Sequence, residues 1–286
     1  MSTFFSGGWR LHIVHDTGFV YDGLAHGSYN EARLTPASLP TQAVLSTEVR
    51  AVPGAERWSY TDYWGTKVTT FQIDSPHESL RVTGESTVET SSARTPQGNL
   101  SCTALLDEAV VDRFYEYLAP TPRTLLPEEV RDAYAIPLLS DDPHASAAAV
   151  SERVRSLLTY APGTTEVQTS AQEALDRGVG VCQDFSHLSI ALLRSIGIPT
   201  RYVSGYLHPH EEAKVGETAR GESHAWIEYY AGSWNALDPT SGAAVGARHV
   251  VVARGRDYAD VTPLSGIYHG APASGLGVTV AITRLR

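Results

Sequence analysis

One cysteine stands where a nucleophile belongs. Cys182 closes a glycine-rich approach, Gly178-Val179-Gly180-Val181, and opens onto Gln183-Asp184-Phe185. Behind it, apolar Phe185, Leu188, Leu192 and Ile196 recur at helical spacing until Gly197-Ile198-Pro199 stops the run. A cysteine at a helix start meets the unpaired N–H groups of the first turn and the positive end of the helix dipole, and both favour thiolate over thiol. Downstream come Ser223-His224-Ala225-Trp226 and Leu237-Asp238-Pro239-Thr240. Cys182, His224 and Asp238 are the parts of a Cys-His-Asp triad, and the chemistry they imply is the breaking or making of acyl bonds.

The spacing of the two downstream blocks tests this reading. Tyr230-Ala231-Gly232-Ser233 reads as a hairpin turn between segments 224–230 and 234–240. A pivot at Ala231 sets His224 directly opposite Asp238, with Cβ atoms about 4.5–5.5 Å apart, in reach of an Nδ1–H to carboxylate hydrogen bond. A slip of register would break the pairing. In this arrangement Cys182 attacks, His224 accepts and returns the proton, and Asp238 holds the imidazole tautomer and stabilises its cation. The Cys182 N–H is the natural first oxyanion donor. For a second donor the sequence offers only Tyr160 and Gln183, without deciding between them.

Other residues invite chemistry less. Asp184 lies in the first helical turn, where an acid caps the helix. His187 follows Cys182 by five residues, which turns it away from the cysteine on a helix. Trp226 and Glu228 share the side of His224 by strand alternation, so Trp226 either walls the site or packs in the core. His208, His210, His224 and Cys182 match no tight zinc spacing, and Glu211-Glu212 beside His210 and Lys214 makes a poor calcium cage. No metal or cofactor is expected. Cys102 lies in Asn99-Leu100-Ser101-Cys102-Thr103, where nothing activates a thiol, and it reads as a packing residue.

The elements that must position the site follow from patterning. Between Trp9 and Thr90, β-branched runs (segments 11–16, 44–49, 68–73 and 80–88) alternate with Pro, Gly, Asp and Ser punctuation, as in an antiparallel β domain. The polar stretch Ser91 to Asn99 is the candidate linker. From Ala104 to Thr159 the pattern turns helical: Pro127-Glu128-Glu129 suits a first turn, and Ala147 to Leu158 carries apolar residues at helical spacing. Ser170 to Glu173 forms a capping-box pattern. Segments 201–206, 225–230, 250–253 and 277–284 then read as strands, and His208 to Gly221 reads as a polar, mobile loop leading into the His224 strand. The fold class is α+β: an N-terminal antiparallel β domain over 1–95, then a core over 96–286 with the Cys182 helix packed on an antiparallel sheet.

Composition narrows the function. In 286 residues, 42% are hydrophobic and 19% charged, as in an ordinary soluble protein. A net charge of −10 argues against a nucleic-acid surface. The first ten residues lack a basic start and an apolar core of signal-peptide length, and no apolar run approaches a membrane span. With two cysteines, one of them the nucleophile, a disulfide is not expected and a cytoplasmic location is.

The blocks Cys182-Gln183-Asp184-Phe185-Ser186-His187-Leu188, Gly197-Ile198-Pro199-Thr200-Arg201-Tyr202-Val203-Ser204-Gly205-Tyr206, Ser223-His224-Ala225-Trp226 and Asp238-Pro239-Thr240 resemble the transglutaminase-like superfamily. Within it they are most similar to the bacterial cysteine-protease-like branch, whose N-terminal β domain Trp9 to Val88 resembles. His249 to Val261 resembles the segment after that branch's catalytic strands. The resemblance implies a papain-like transglutaminase core and the triad Cys182, His224 and Asp238. It also implies a peptide or protein substrate, and leaves three functions open: hydrolysis of peptide or amide bonds, transfer of the acyl group to an amine, and a non-catalytic binding module, the last disfavoured because all three triad residue types are present.

Overall fold

The computed structural model describes residues 7–221 and 223–286. An eight-stranded antiparallel sheet and a four-stranded antiparallel sheet share one principal core. The larger sheet is organised by the strand Arg10–Ala32, which is 23 residues long. Its first half pairs with His77–Thr90 on one side and Ala273–Arg284 on the other. Its second half pairs instead with Lys67–Ile73 and Leu264–Gly270, after register shifts beyond Val20 and His26. The shifts let one strand serve two cores. Leu11 and Ile13 face the principal core, while Ala25 and Ala32 join Phe71, Ile73 and Val82 in a separate cluster. The alternation expected over 11–16 is present, with Leu11, Ile13 and His15 buried.

The larger sheet is not built from residues 1–95 alone. Thr218–Gly221, Leu264–Gly270 and Ala273–Arg284 complete it, so the chain returns to its first sheet after making the core. The expected open loop from His208 to Gly221 accordingly ends in a strand hydrogen-bonded to Ala273–Arg284, and His208 is buried against Trp9. The expected linker, Ser91 to Asn99, has no regular structure but is strapped down: Gln97 N–H donates to Asn235 Oδ1 at 2.6 Å and Asn235 Nδ2 donates to Gln97 O at 2.8 Å.

The smaller sheet carries the chemistry. Its order is Trp234–Leu237, His224–Tyr230, Thr200–Leu207, His249–Gly255, all antiparallel. Helix Cys182–Ser195 packs on it, flanked by Pro143–Leu157 and Ala171–Arg177. The latter has the expected capping box from Ser170 to Glu173 and ends at Gly178 in the left-handed region. Phe185, Leu188 and Leu192 are fully buried on the helix's apolar face, each contributing about 1.5–3 kcal/mol. The opposite face is buried too, which an amphipathic pattern does not show. There the Arg194 guanidinium donates to the carbonyls of Thr200, Ala119 and Arg256, so a charged side chain ties the helix to three other segments. Burial lowers the pKa of that group to about 10.

Candidate active site

Cys182 is the first residue of its helix, with Val181 extended at the N-cap. The first bonds of the helical ladder run from Asp184 N and Phe185 N to Val181 O, so the Cys182 N–H lies ahead of the ladder. Asp184 caps the helix as expected: its Oδ2 accepts from Val181 N at 2.8 Å and from Thr165 Oγ1 at 2.6 Å, and burial raises its pKa. Gly180 is needed for this cap, because a Cβ there would come within 2.6 Å of Asp184 Cβ. The approach to the cysteine is held by a short parallel pairing of Thr159–Tyr160 with Val179–Gly180.

His224 begins the strand His224–Tyr230, beside the half-buried Cys182. Its Nε2 lies 3.0 Å from Asp238 Oδ2, leaving Nδ1 for the cysteine. Burial favours the neutral ring, but hydrogen bonds to Asp238 and Cys182 outweigh it and push the pKa up to about 10. Asp238 is fully buried, yet the hydrogen bonds from His224 and Ser241, with the His249 ring close by, hold its carboxyl far below the usual carboxylate range. Its Oδ1 accepts from Thr240 N at 2.9 Å, and its Oδ2 also accepts from Ser241 Oγ at 2.8 Å. Trp226 lies under the imidazole, stacked at 29° with ring centroids 5.9 Å apart. Gly205, opposite His224 on the next strand, makes room for that indole: a Cβ would meet Val250 O at 2.0 Å and Trp226 at 2.7 Å.

The hairpin differs from expectation in register. Tyr230 pairs with Trp234, so the pivot is Gly232, with φ of +97°, and not Ala231. Moving the pivot by one residue moves the partner by two, which keeps the face and changes the distance. Asp238 thus lies past the last paired residue, Leu237, diagonal to His224. The side chain still reaches because the bonds from Thr240 N and Ser241 to the carboxylate turn it back toward the strand. The nitrogen also differs: Nε2, and not Nδ1, faces Asp238.

The remaining sequence candidates separate clearly. His187 is buried away from the cysteine, accepts from Tyr258 N at 3.2 Å, and its pKa is lowered to about 3 by burial. Glu228 forms a buried cluster with Arg201 and Arg254; burial opposes its charge, but the two guanidinium groups bring its pKa down to about 2. Gln183 donates to Glu166 O at 3.4 Å, while Tyr160 keeps an exposed ring 6.4 Å from Phe185. Cys102 is buried at a helix start, and its thiol is pushed up by burial. His208 and His210 are not brought to Cys182; His210 pairs with Glu217 and Glu211 with Arg248.

His249 is a site residue that local spacing did not single out. It is buried beside Asp238, with Nε2 3.7 Å from Oδ2, and its ring stands edge-on to Trp226 at 5.3 Å. Among the described residues, His224, Asp238 and His249 are the one set whose metal-ligand atoms converge, within 4.8 Å. A cation there would have to replace the hydrogen bond between His224 and Asp238. No other described trio of His, Cys, Asp or Glu offers one a place. The signals at His249 were its place at the head of the apolar run Val250-Val251-Val252-Ala253 and within the family-like segment His249 to Val261, and neither distinguishes it from its neighbours.

Known proteins share this architecture. The transglutaminase-like superfamily profile matches residues 133–239, and the bacterial transglutaminase-like N-terminal region matches 11–89. The chain is 46% identical over 277 residues to protein ML0607 of Mycobacterium leprae, covering 97% of this chain and 99% of the relative. It is 31% identical over 313 residues to protein Rv2569c of Mycobacterium tuberculosis, covering 97% and 93%. A crystal structure of a candidate cysteine protease from Cytophaga hutchinsonii has the same fold, with a TM-score of 0.73 at 22% identity, covering 96% of this chain and 91% of that one. The fold, the order of its parts and these relatives together make the chain a member of the transglutaminase-like superfamily, with the bacterial N-terminal region attached.

Proposed function

We propose that this protein is a cysteine-dependent acyl-transfer enzyme that hydrolyses peptide or amide bonds through a thioester on Cys182. The observation that carries the reading is His224 held between Cys182 and a fully buried Asp238, with Nε2 at 3.0 Å from the carboxylate. The Cys182 thiolate attacks the acyl carbon, and the carbonyl oxygen takes up negative charge within reach of the Cys182 N–H. His224 gives its Nδ1 proton to the leaving amine, and the carbon–nitrogen bond breaks. Water then attacks the thioester; His224 takes the water's proton, the acid leaves, and the ion pair is restored. Asp238 holds Nε2 throughout. The partial exposure of Cys182 supports water as the acceptor, and the free thiol fits a reducing, cytoplasmic compartment.

The test is a thioester trap. The protein is incubated with a peptide library, with and without an added primary amine, and the acyl mass is located by mass spectrometry. Acyl mass on Cys182, released as free acid in water, is expected. Amide formation with the amine in preference to acid would reassign the reaction to amine transfer. Acylation elsewhere, or unchanged turnover in Cys182→Ala, would overturn the mechanism.

A further inference from the structure

Asp238 is held from more sides than a simple triad requires. Its Oδ1 is committed to the N–H groups of Thr240 and Ser241, while its Oδ2 is shared by the Ser241 hydroxyl and His224. A third donor faces Oδ2. His249 Nδ1 accepts the Gly246 N–H at 3.3 Å, which leaves the ring proton on Nε2, and that nitrogen is directed at Oδ2 from 3.7 Å. The distance exceeds a hydrogen bond proper, yet Nε2 is buried with no closer partner among the described residues. A buried N–H without a partner is costly unless a nearby charge takes up its dipole.

The rest of the fold pins this ring. Trp226 meets it edge-on, and the backbone on either side is clamped by the N-terminal sheet. Gln42 donates to Val251 O at 2.8 Å and accepts from Val251 N at 2.8 Å, while Thr90 Oγ1 donates to Ala247 O at 2.5 Å. Of the charged or titratable groups around the ring, Asp238 and His224 lie on the site side. Arg248 is turned to Glu211 and to the carbonyls of His208 and Pro209.

We propose that His249 is a positioning residue of the active site, whose Nε2–H holds the Asp238 carboxylate in the orientation that keeps Oδ2 on His224. The N-terminal β sheet then has a part in the chemistry, since it fixes His249 through Ala247 and Val251. Without the third donor the carboxylate turns toward Ser241 and the backbone N–H groups, its bond to His224 lengthens, and the imidazolium is less well held. The inference rests on the proposed roles of Cys182, His224 and Asp238.

The test needs no substrate. Alkylation of Cys182 by iodoacetate, an anion drawn to the imidazolium, is followed by mass spectrometry from pH 5 to pH 10.5 in wild type, His249→Phe and His249→Gln. Phenylalanine keeps the ring volume against Trp226 and removes the donor; glutamine restores an N–H near the Nε2 position. His249→Phe is expected to alkylate about three- to tenfold more slowly at pH 7.5, with the alkaline limb moved to lower pH, and His249→Gln to stay within about twofold of wild type. Equal losses in both variants, or an unmoved rate and limb in His249→Phe, would overturn the role. Should His249→Phe fail to fold, the ¹⁵N signature of His249 in the wild-type protein decides: a neutral Nε2–H tautomer is expected at pH 7.5, and an Nδ1–H tautomer would sink the proposal. If iodoacetate spares Cys182 in wild type, it is the triad reading that fails, whatever His249 does.

Discussion

Replacing Asp238 by Asn probes the site with the smallest change of shape. The carboxylate accepts from His224 Nε2 and Ser241 Oγ on Oδ2 and from Thr240 N and Ser241 N on Oδ1. An amide cannot serve both sides. With its oxygen toward His224, its NH₂ meets the N–H of Thr240, donor against donor. Turned over, its NH₂ meets His224 Nε2, which must then be an acceptor, and the ring is forced into the wrong neutral tautomer. Either way a fully buried group loses a partner, at about 1–3 kcal/mol of stability. The imidazolium also loses a charge-assisted hydrogen bond, which contributes about 1.5–3 kcal/mol. That energy corresponds to an alkaline limb lowered by about 1–2 pH units and a population of the ion pair reduced about ten- to hundredfold. The loss is expected to be smaller than the roughly 10⁴ of a serine triad, because in the proposed mechanism the imidazolium is present before the reaction and is not formed only during it. The assay is the pH profile of Cys182 alkylation by iodoacetate, beside a thermal melt. An Asp238→Asn protein with wild-type rate and limb would refute the reasoning, and would mean that another group orients His224.

Four further outcomes are expected. Iodoacetamide at pH 7 should label Cys182 and leave Cys102 unlabelled, since burial raises the Cys102 thiol; peptide mapping reads the ratio, and label on Cys102 first would reverse the assignment. His224 is protonated up to about pH 10 when folded, against 6.5 for the free ring. The stability it contributes is therefore complete below pH 6.5 and lost as pH rises to about 10. Melting temperature should fall more steeply across that window in wild type than in His224→Gln, and parallel curves would contradict the pairing. Glu228→Ala strands the Arg201 and Arg254 guanidinium groups in the sheet and should cost about 3–5 kcal/mol in chemical denaturation; a loss below about 1 kcal/mol would mean the cluster is solvated. Excess EDTA should leave Cys182 alkylation and thioester turnover unchanged, and a loss restored by calcium or zinc would show that a cation takes part.

Much of this protein could be read locally. The helix behind Cys182 follows from the spacing of Phe185, Leu188 and Leu192. The strands follow from β-branched alternation, and the cap of the preceding helix follows from Ser170 and Glu173, because each is set by contacts within a few residues. The glycine-lined cysteine at a helix start and the hairpin that brings the His224 block near the Asp238 block were legible for the same reason, both being short-range features, whereas the meeting of Cys182 with His224 joins residues far apart in the chain.

What the tertiary structure decided is everything set by contacts between distant residues. The hairpin pivots on Gly232 instead of Ala231, a choice between two turn geometries that the sequence allows equally. Asp238 consequently reaches His224 diagonally and through Nε2, aided by Ser241. His249 comes to Asp238 only because the strand His249–Gly255 lies beside Thr200–Leu207, and Gln42, more than two hundred residues earlier, grips that strand at Val251. The C-terminal strand Ala273–Arg284 returns to pair with Arg10–Ala32, which no composition boundary near residue 95 reveals. Local propensity sets which residues form helix or strand. Which strands become neighbours, and so which buried side chains meet a carboxylate, is settled by burying apolar surface over the whole chain.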